Sequence, residues 1–266
     1  YLDSHTESAQ CLIWAHANGY SAATYSYYLE ALVNHYRVLA LDFAGHGNSE
    51  GPPQKPIHFS DWGFFRDQII ALMEHEAIDK ATLIGHSLGG ASALLTALQI
   101  PRHIDKVIAL DPVLLDPWRR LFSFWHNPLA EAAEKRRSRF KDLEQVKKIF
   151  PKIPAFARWH SRIFHDYVQS CFHETDEGVE LACHPSLEAH IFRSPSIKDY
   201  LEFWLTTKEV HIITMPNSEV APWISAFGVT LGNPSSRVHL HKGKNHFFPF
   251  EEPDWTLKQI KPILFS

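Results

Sequence analysis

Residues 81–100 constrain the fold more than any other part of the chain. The apolar run Ala81–Ile84 predicts a buried strand, and the run Gly90–Ile100, rich in Ala and Leu, predicts a helix. The turn between them has the pattern Gly-x-Ser-x-Gly, at Gly85, Ser87 and Gly89. In a strand–turn–helix context this pattern is typical of a strained turn that pushes the serine hydroxyl outward.

The glycines of this turn have a steric role, because a Cβ at Gly85 or Gly89 would crowd it. The helix that follows also points backbone N–H groups and the positive end of its dipole at Ser87. Ser87 is therefore a candidate nucleophile. The alternative is a glycine-rich strand-to-helix turn in which the serine is merely buried.

Apolar runs alternate with helical patterns along the first 111 residues. Strands are predicted at Cys11–Ala15, Tyr36–Leu41, Ala81–Ile84 and Lys106–Leu110. This alternation predicts an α/β fold with a parallel sheet and helices on both faces. Ligands bind beyond the carboxyl ends of the strands in such sheets, so we expect the polar residues there to converge. They are His16, Asp42, Ser87 and Asp111.

The alternation stops near residue 112 and resumes near residue 208. We expect a core domain of residues 1–111 and 208–266, with a helical cap of residues 112–207 inserted before the penultimate strand. Helices are predicted there at about 128–150, 155–171 and 196–205. The aromatic residues of this insertion either pack it against the sheet or line an apolar pocket beneath a lid. The charged run Glu134–Arg139 is predicted to be a solvated helix face.

A serine hydroxyl needs a base to act as a nucleophile at neutral pH, and a carboxylate to orient that base. In sheets of this kind the order along the chain is Ser, acid, His. His246 follows the last predicted strand, 237–240, and Glu219 follows the preceding one, 209–214. We therefore predict His246 as the base and Glu219 as the acid. Asp111, at the end of an earlier strand, is the alternative acid.

A tetrahedral oxyanion needs two preorganised donors. The backbone N–H of Leu88 is the first predicted donor, and Asn18, in the loop after the first buried strand, is the second. The predicted pocket residues are Tyr20, Val113 and Phe247.

His16 and His86 flank this site, and we predict structural hydrogen-bonding roles for both. The pairs His239/His241 and His184/His190 have weak metal-ligand spacing, so neither a metal nor a cofactor is expected.

Composition and net charge limit the kinds of molecule that the chain is expected to bind. A chain of 266 residues with 45% hydrophobic and 21% charged residues suits one globular domain with an insertion. The net charge of −4 does not favour nucleic acid, and no apolar run reaches the length of a membrane span.

Three widely spaced cysteines, Cys11, Cys171 and Cys183, are expected to be reduced packing residues rather than a disulfide framework. No basic-then-apolar signal segment opens the chain, so a cytoplasmic location is expected. The chain begins at Tyr1 rather than Met, which leaves open whether a preceding segment was removed, and the oligomeric state also stays open.

Four segments together resemble the α/β-hydrolase fold: His16–Gly19, Asp42–Ser49, Gly85–Gly90 and Asn245–His246. The first, His-Ala-Asn-Gly, is similar to the oxyanion loop of a small branch of serine hydrolases often labelled esterases. The stretch Leu181–Ala189 also resembles that branch. The resemblance implies that Ser87 is the nucleophile, that His246 is the base, and that the residue after the penultimate strand is the acid.

The chain departs from that pattern at three positions. Glu219 stands where Asp is usual, Pro216 replaces a common glycine before the acid loop, and Asn245 rather than Gly precedes the histidine. The path of the acid loop is therefore open.

The expected function is hydrolysis of a small carboxylic ester with an apolar group, through an acyl-enzyme. The related dehalogenases and epoxide hydrolases use Asp as nucleophile, and Ser87 argues against both. Lactone, thioester or C–C diketone substrates remain open, as does a non-catalytic ligand-binding protein.

Overall fold

The computed structural model describes residues 1–6, 8, 10–51, 61–114, 127–194, 203–243 and 245–265. Its strands, in chain order, are β1 Leu2–Asp3, β2 Cys11–Ala15, β3 Arg37–Leu41, β4 Ala81–His86, β5 Ile104–Leu110, β6 Arg139–Phe140, β7 Phe172–Thr175, β8 Gly178–Leu181, β9 Glu209–Thr214 and β10 Arg237–Leu240. Its α-helices are α1 Ser26–Glu30, α2 Gly63–His75, α3 Leu88–Gln99, α4 Pro128–Glu134, α5 Leu143–Ile149, α6 Ser161–Ser170, α7 Pro185–Arg193, α8 Trp223–Thr230, α9 Phe248–Glu251 and α10 Pro253–Leu264. Short 3-10 turns occur at Ala22–Tyr25, Pro101–His103 and Phe150–Lys152.

The main sheet has the strand order β1-β3-β2-β4-β5-β9-β10. All neighbouring pairs are parallel except β1 and β3, which are antiparallel. The predicted parallel sheet is confirmed. Strands β4 and β5 lie at its centre, so the residues at their carboxyl ends are adjacent.

Both faces of the sheet are buried. Along β2, Leu12 and Trp14 point into one hydrophobic cluster, and Ile13 and Ala15 point into the other. This alternation follows from the two-residue period of a strand. It explains why β2 has the continuous apolar sequence that marks a strand covered on both faces.

Within the predicted insertion, residues 127–194 combine helices α4–α7 with a small antiparallel sheet of order β6-β8-β7. The prediction of a mostly helical segment therefore missed three strands. The single helix predicted at about 128–150 is interrupted after Glu134 by β6, and α5 starts afresh where the Asp142 side chain accepts a hydrogen bond from Gln145 N at 2.7 Å. Of the helix predicted at 155–171, only Ser161–Ser170 is observed as α6, while residues 155–160 are not helical. The helix predicted at 196–205 falls mostly outside the described residues.

The three cysteines are buried and free, as expected from their spacing. Within the described ranges, no helix combines the length and the apolar character needed to cross a membrane.

Candidate active site

Ser87 lies in the sharp turn between β4 and α3. Its φ of +55° and ψ of −113° are a conformation that non-glycine residues rarely adopt. Backbone hydrogen bonds hold this strain: Ser87 N donates to Leu110 O at 2.9 Å, and Ser87 O accepts from Ala91 N at 3.0 Å. Strain of this kind persists where the surrounding structure fixes it, and it marks Ser87 as a functional candidate.

The two glycines of the turn allow this close packing. A Cβ at Gly85 would collide with the backbone of Gly89, and a Cβ at Gly89 would collide with the carbonyl group of Ala15. The predicted steric reason for the Gly-x-Ser-x-Gly pattern therefore agrees with the structure.

His246 follows β10 and precedes α9, and its imidazole meets the carboxylate of Asp111 at the end of β5. His246 Nδ1 lies 2.6 Å from Asp111 Oδ2. Thr214 Oγ1, at the end of β9, donates to the other oxygen, Oδ1, at 2.6 Å. Asp111 is fully buried and has a φ of +40°. Contacts at both oxygens thus fix the carboxylate. Because an ionised carboxylate only accepts hydrogen bonds, the imidazole proton lies on Nδ1, and Nε2 is the basic nitrogen.

The structure does not place Glu219 in that position. Glu219 is exposed in the loop after β9, while the alternative acid, Asp111, contacts the imidazole. The reason lies in the sheet order: β5 and β9 are neighbours, so the end of β5 reaches the same location as the loop after β9. Pro216 and Glu219, where the sequence departs from the family pattern, were the signal that this loop does not supply the acid.

The predicted oxyanion donors are Asn18, in the loop after β2, and Leu88, at the start of α3. Leu88 is the first residue of α3, so its N–H has no acceptor within the helix. The Asn18 side chain is already engaged: Nδ2 donates to Glu188 O at 3.0 Å, and Oδ1 accepts from His46 Nε2 at 3.3 Å. Both polar atoms of the Asn18 side chain therefore hold the loop, so this side chain is not a free oxyanion donor.

Two buried histidines support the same loop. His16 Nε2 accepts from Phe43 N at 2.9 Å, so Nδ1 carries the proton and donates to Ala17 O at 2.7 Å. Burial lowers the pKa of His16 to about 4. Burial, together with the neighbouring His16, lowers the pKa of His46 to about 3. Both rings are neutral scaffolding, in agreement with the structural role predicted for His16.

The predicted pocket residues lie around this centre. Tyr20 packs against Trp159 with ring centroids 5.6 Å apart, and against Phe247 at 6.2 Å. Phe247 is also 5.6 Å from the His246 ring. Val113 N donates to Ser87 O at 3.3 Å. An aromatic wall therefore stands beside His246, and Val113 lies behind the serine.

An ion pair that the sequence did not reveal lies within the insertion, next to the Asn18 loop. Arg136 donates to both carboxylate oxygens of Glu188, at 3.1 and 2.9 Å, and to Tyr167 Oη at 2.7 Å. Glu188 in turn lies directly behind Gly19, whose φ is +83° and whose missing Cβ would fall 2.9 Å from Glu188 Oε1. Burial opposes the charge of Arg136, but Tyr167 and Glu188 outweigh it and raise its pKa. The expectation that residues 134–139 form only a solvated face is therefore wrong for Arg136.

The weak metal-ligand pairs do not converge. His239 Nε2 is hydrogen-bonded to His211 Nδ1 at 3.0 Å, whereas His241 Nδ1 accepts from Gly243 N at 2.9 Å. Over the described part of the chain, no group of three or more His, Cys, Asp or Glu side chains has a metal-binding arrangement.

The fold is that of an α/β hydrolase. A model of the alpha/beta hydrolase family matches residues 12–259, and the chain belongs to that family. Esterase YbfF of Escherichia coli (strain K12) is 36% identical over 86 residues, which are 32% of this chain and 32% of the esterase. The putative carbamate hydrolase RutD of Yersinia enterocolitica is 28% identical over 120 residues, which are 44% of this chain and 42% of that protein. The aligned stretches thus span less than half of either relative.

Solved structures resemble the whole chain. E-2-(acetamidomethylene)succinate hydrolase matches with a TM-score of 0.80 and 20% identity, covering 97% of this chain and 92% of its own. The enol-lactonase from Burkholderia xenovorans LB400 matches with a TM-score of 0.67 and 16% identity, covering 98% and 93%. These likenesses confirm the predicted fold class.

Proposed function

We propose that the protein is a serine hydrolase that cleaves carboxylic esters through an acyl-enzyme. The observation that supports this most strongly is the contact between His246 Nδ1 and buried Asp111, at the carboxyl edge of the sheet where strained Ser87 also lies. A base oriented by a buried carboxylate is what a serine hydroxyl needs to become a nucleophile. Esterase-named relatives favour the same chemistry.

In the proposed reaction, Ser87 Oγ attacks the ester carbonyl and His246 Nε2 accepts its proton. Asp111 stabilises the imidazolium that forms, and Thr214 keeps the carboxylate in place. The imidazolium then protonates the leaving alcohol. Water, activated by the same nitrogen, hydrolyses the acyl-enzyme and regenerates Ser87.

The tetrahedral oxyanion is proposed to bind the backbone N–H groups of Leu88 and Asn18. The first N–H lies at the positive end of α3. The second belongs to a loop that is held by hydrogen bonds at both Nδ2 and Oδ1 of the Asn18 side chain. Removing one such donor typically costs about 10²–10³ in rate. All groups in this scheme belong to the protein, so no cofactor is required.

The insertion is proposed to act as a cap over the site, with predicted limits at residues 112–207. Its Trp159 belongs to the aromatic wall around Tyr20 and Phe247, and this wall favours an apolar acyl or alcohol group. Lactones, thioesters and C–C diketones could react with the same groups, and one of the structural neighbours is named an enol-lactonase. A panel of substrates has to separate these classes.

The test is labelling of the purified protein with a fluorophosphonate, followed by hydrolysis of p-nitrophenyl esters of two to ten carbons. We expect the wild type to label and turn over, with a preference along the chain-length series, and Ser87→Ala to do neither. The panel includes a lactone, a thioester and a diketone at equal concentration. Absence of labelling together with absence of turnover on the whole panel would reject the proposal in favour of a non-catalytic binding protein.

A further inference from the structure

We propose that Tyr25 and His86 are positioning residues, which set the distance between the oxyanion loop and the base through one continuous chain of hydrogen bonds. This inference rests on the proposed function of Ser87, His246 and the Asn18 loop. It concerns two residues outside the triad: Tyr25 in the 3-10 turn Ala22–Tyr25, and His86, which precedes the nucleophile.

Three contacts form this chain of hydrogen bonds. Ala17 N, in the oxyanion loop, donates to Tyr25 Oη at 3.2 Å. Tyr25 Oη lies 2.8 Å from His86 Nδ1. His86 Nε2 lies 3.1 Å from the carbonyl oxygen of His246. The backbone beside one oxyanion donor is thereby connected to the backbone of the base.

Every bond in this chain has a single direction. A backbone N–H only donates, so Tyr25 Oη accepts from Ala17 and gives its own proton to His86 Nδ1. A carbonyl only accepts, so His86 Nε2 must carry the ring proton and donate to His246 O. Only the Nε2–H tautomer of a neutral His86 satisfies both neighbours.

The surroundings keep His86 in that state. Tyr25 and His86 are fully buried, and burial together with His246 lowers the pKa of His86 well below its ordinary value. The His86 ring also lies beside the His246 ring, with centroids 4.9 Å apart and the ring planes tilted by 38°. A buried network that is fully satisfied in one direction is rigid, since reversing one bond would leave two polar groups unpaired.

Ordinary core packing also buries tyrosines, and Tyr36 is the matched control. Tyr36 is a buried tyrosine whose hydroxyl donates to Leu264 O at 2.8 Å, remote from the Ser87 turn. Tyr25→Phe and Tyr36→Phe each remove one buried hydroxyl. Both variants are therefore expected to lose stability, whereas only Tyr25→Phe interrupts the hydrogen bonds that connect the oxyanion loop to His246.

The first experiment measures kcat and KM for p-nitrophenyl butyrate, and urea unfolding, for the wild type and both variants. We expect Tyr25→Phe to lower kcat by about 10- to 100-fold with KM within threefold, and Tyr36→Phe to keep kcat within twofold at a comparable loss of stability. An equal change in kcat for both variants would overturn the proposal. Absence of fluorophosphonate labelling and of turnover on the whole substrate panel in the wild type would instead reject the proposed function.

The second experiment compares His86→Gln with His86→Phe. The Gln amide has an acceptor and a donor, so it retains a group for Tyr25 and one for His246, whereas Phe has neither. We expect Gln to keep at least tenfold more kcat than Phe, and the affinity for an alkyl boronic acid, which mimics the tetrahedral state, to fall in parallel with kcat. Equal activity of the two variants, or unchanged boronate affinity in a slow variant, would contradict a positioning role.

Discussion

Asp111 and His246 are separated by 135 positions in the chain, yet Asp111 Oδ2 lies 2.6 Å from His246 Nδ1. The contact exists because β5 lies between β4 and β9 in the sheet, so the end of β5 faces the loop that follows β10. Thr214, on β9, completes the support of the carboxylate. The acid of the proposed triad thus comes from the strand next to the nucleophile.

We predict that Asp111→Asn lowers kcat by about 10³–10⁴-fold, because an amide cannot stabilise the imidazolium and favours the wrong tautomer. Glu219→Gln, at the exposed position after β9, is the matched control and is expected to keep kcat within threefold. Steady-state kinetics on a p-nitrophenyl ester, with circular dichroism to verify folding, compare the two. If Glu219→Gln were the more damaging variant in folded protein, the assignment of Asp111 would be wrong.

A second prediction concerns the turn at Ser87. Gly89→Ala would drive a methyl group into the carbonyl of Ala15, and we expect it to destabilise the protein by about 3 kcal/mol or more, or to prevent folding. Among the described residues, no heavy atom lies within 4 Å of the Cβ that Gly51→Ala would add, and this variant is expected to change the free energy of unfolding by less than about 1 kcal/mol. Soluble yield and urea unfolding measure both. Equal stability of the two variants would show that the turn tolerates a side chain.

The third prediction concerns the ion pair of Arg136 and Glu188, whose side chains are 21% and 11% exposed. Arg136→Met leaves a mostly buried carboxylate without its cation, so we expect a loss of about 2–4 kcal/mol. The double variant Arg136→Met/Glu188→Gln removes the stranded charge and is expected to recover part of that loss.

Lys147→Met is the control for this ion pair, because it breaks the more exposed pair with Glu144. Its expected cost is below about 1 kcal/mol. Urea unfolding gives all three values. A double variant that is less stable than Arg136→Met alone would mean that the buried pair does not act as a unit.

The fourth prediction is a loss of stability at acid pH. Burial lowers the pKa of His16 to about 4 and that of His46 to about 3, so the folded protein keeps both neutral while the unfolded chain takes up protons below about pH 6.5. The unfolded state binds more protons in that window. The free energy of unfolding therefore falls as pH falls from about 6.5 to 4, by up to about 1.4 kcal/mol per pH unit and per histidine.

Urea unfolding at pH 7.5, 6.0 and 5.0 measures this slope. His46→Gln cannot titrate at this position. We therefore expect it to lower the number of protons taken up on unfolding between pH 6 and 5 by about one, which reduces the slope by about 1.4 kcal/mol per pH unit. His165→Gln, at an exposed position of α6, is the control and is expected to leave the slope unchanged. A slope identical in all three proteins would mean that His46 is protonated in the folded state.

The sheet was predictable because β2 is a continuous apolar run and β5 ends in one, Val107–Leu110, each followed at once by a polar residue. The turn at Ser87 was predictable because its glycines are required locally, whatever the rest of the chain does. Such features depend on residues that are close in the sequence.

Three features depend on packing between residues that are distant in the sequence. They are the proposed triad acid, the small sheet of the insertion and the inward side chain of Arg136. Strand β7 begins with Phe172 but continues with His, Glu and Thr, so its pattern resembles a surface loop. Arg136 belongs to a charged run, and its burial is compensated by the ion pair with Glu188, 52 positions later. The choice between Asp111 and Glu219 likewise depended on which strand ends are neighbours.

The bond from Asn18 Nδ2 to Glu188 O joins the oxyanion loop to α7, a helix of the insertion. Glu188 therefore belongs to the proposed cap and also supports the proposed oxyanion loop. Any movement that lifts α7 away from Gly19 also withdraws an anchor from that loop. In the proposed scheme, opening of the cap at α7 and loss of support for the oxyanion loop are therefore one and the same movement.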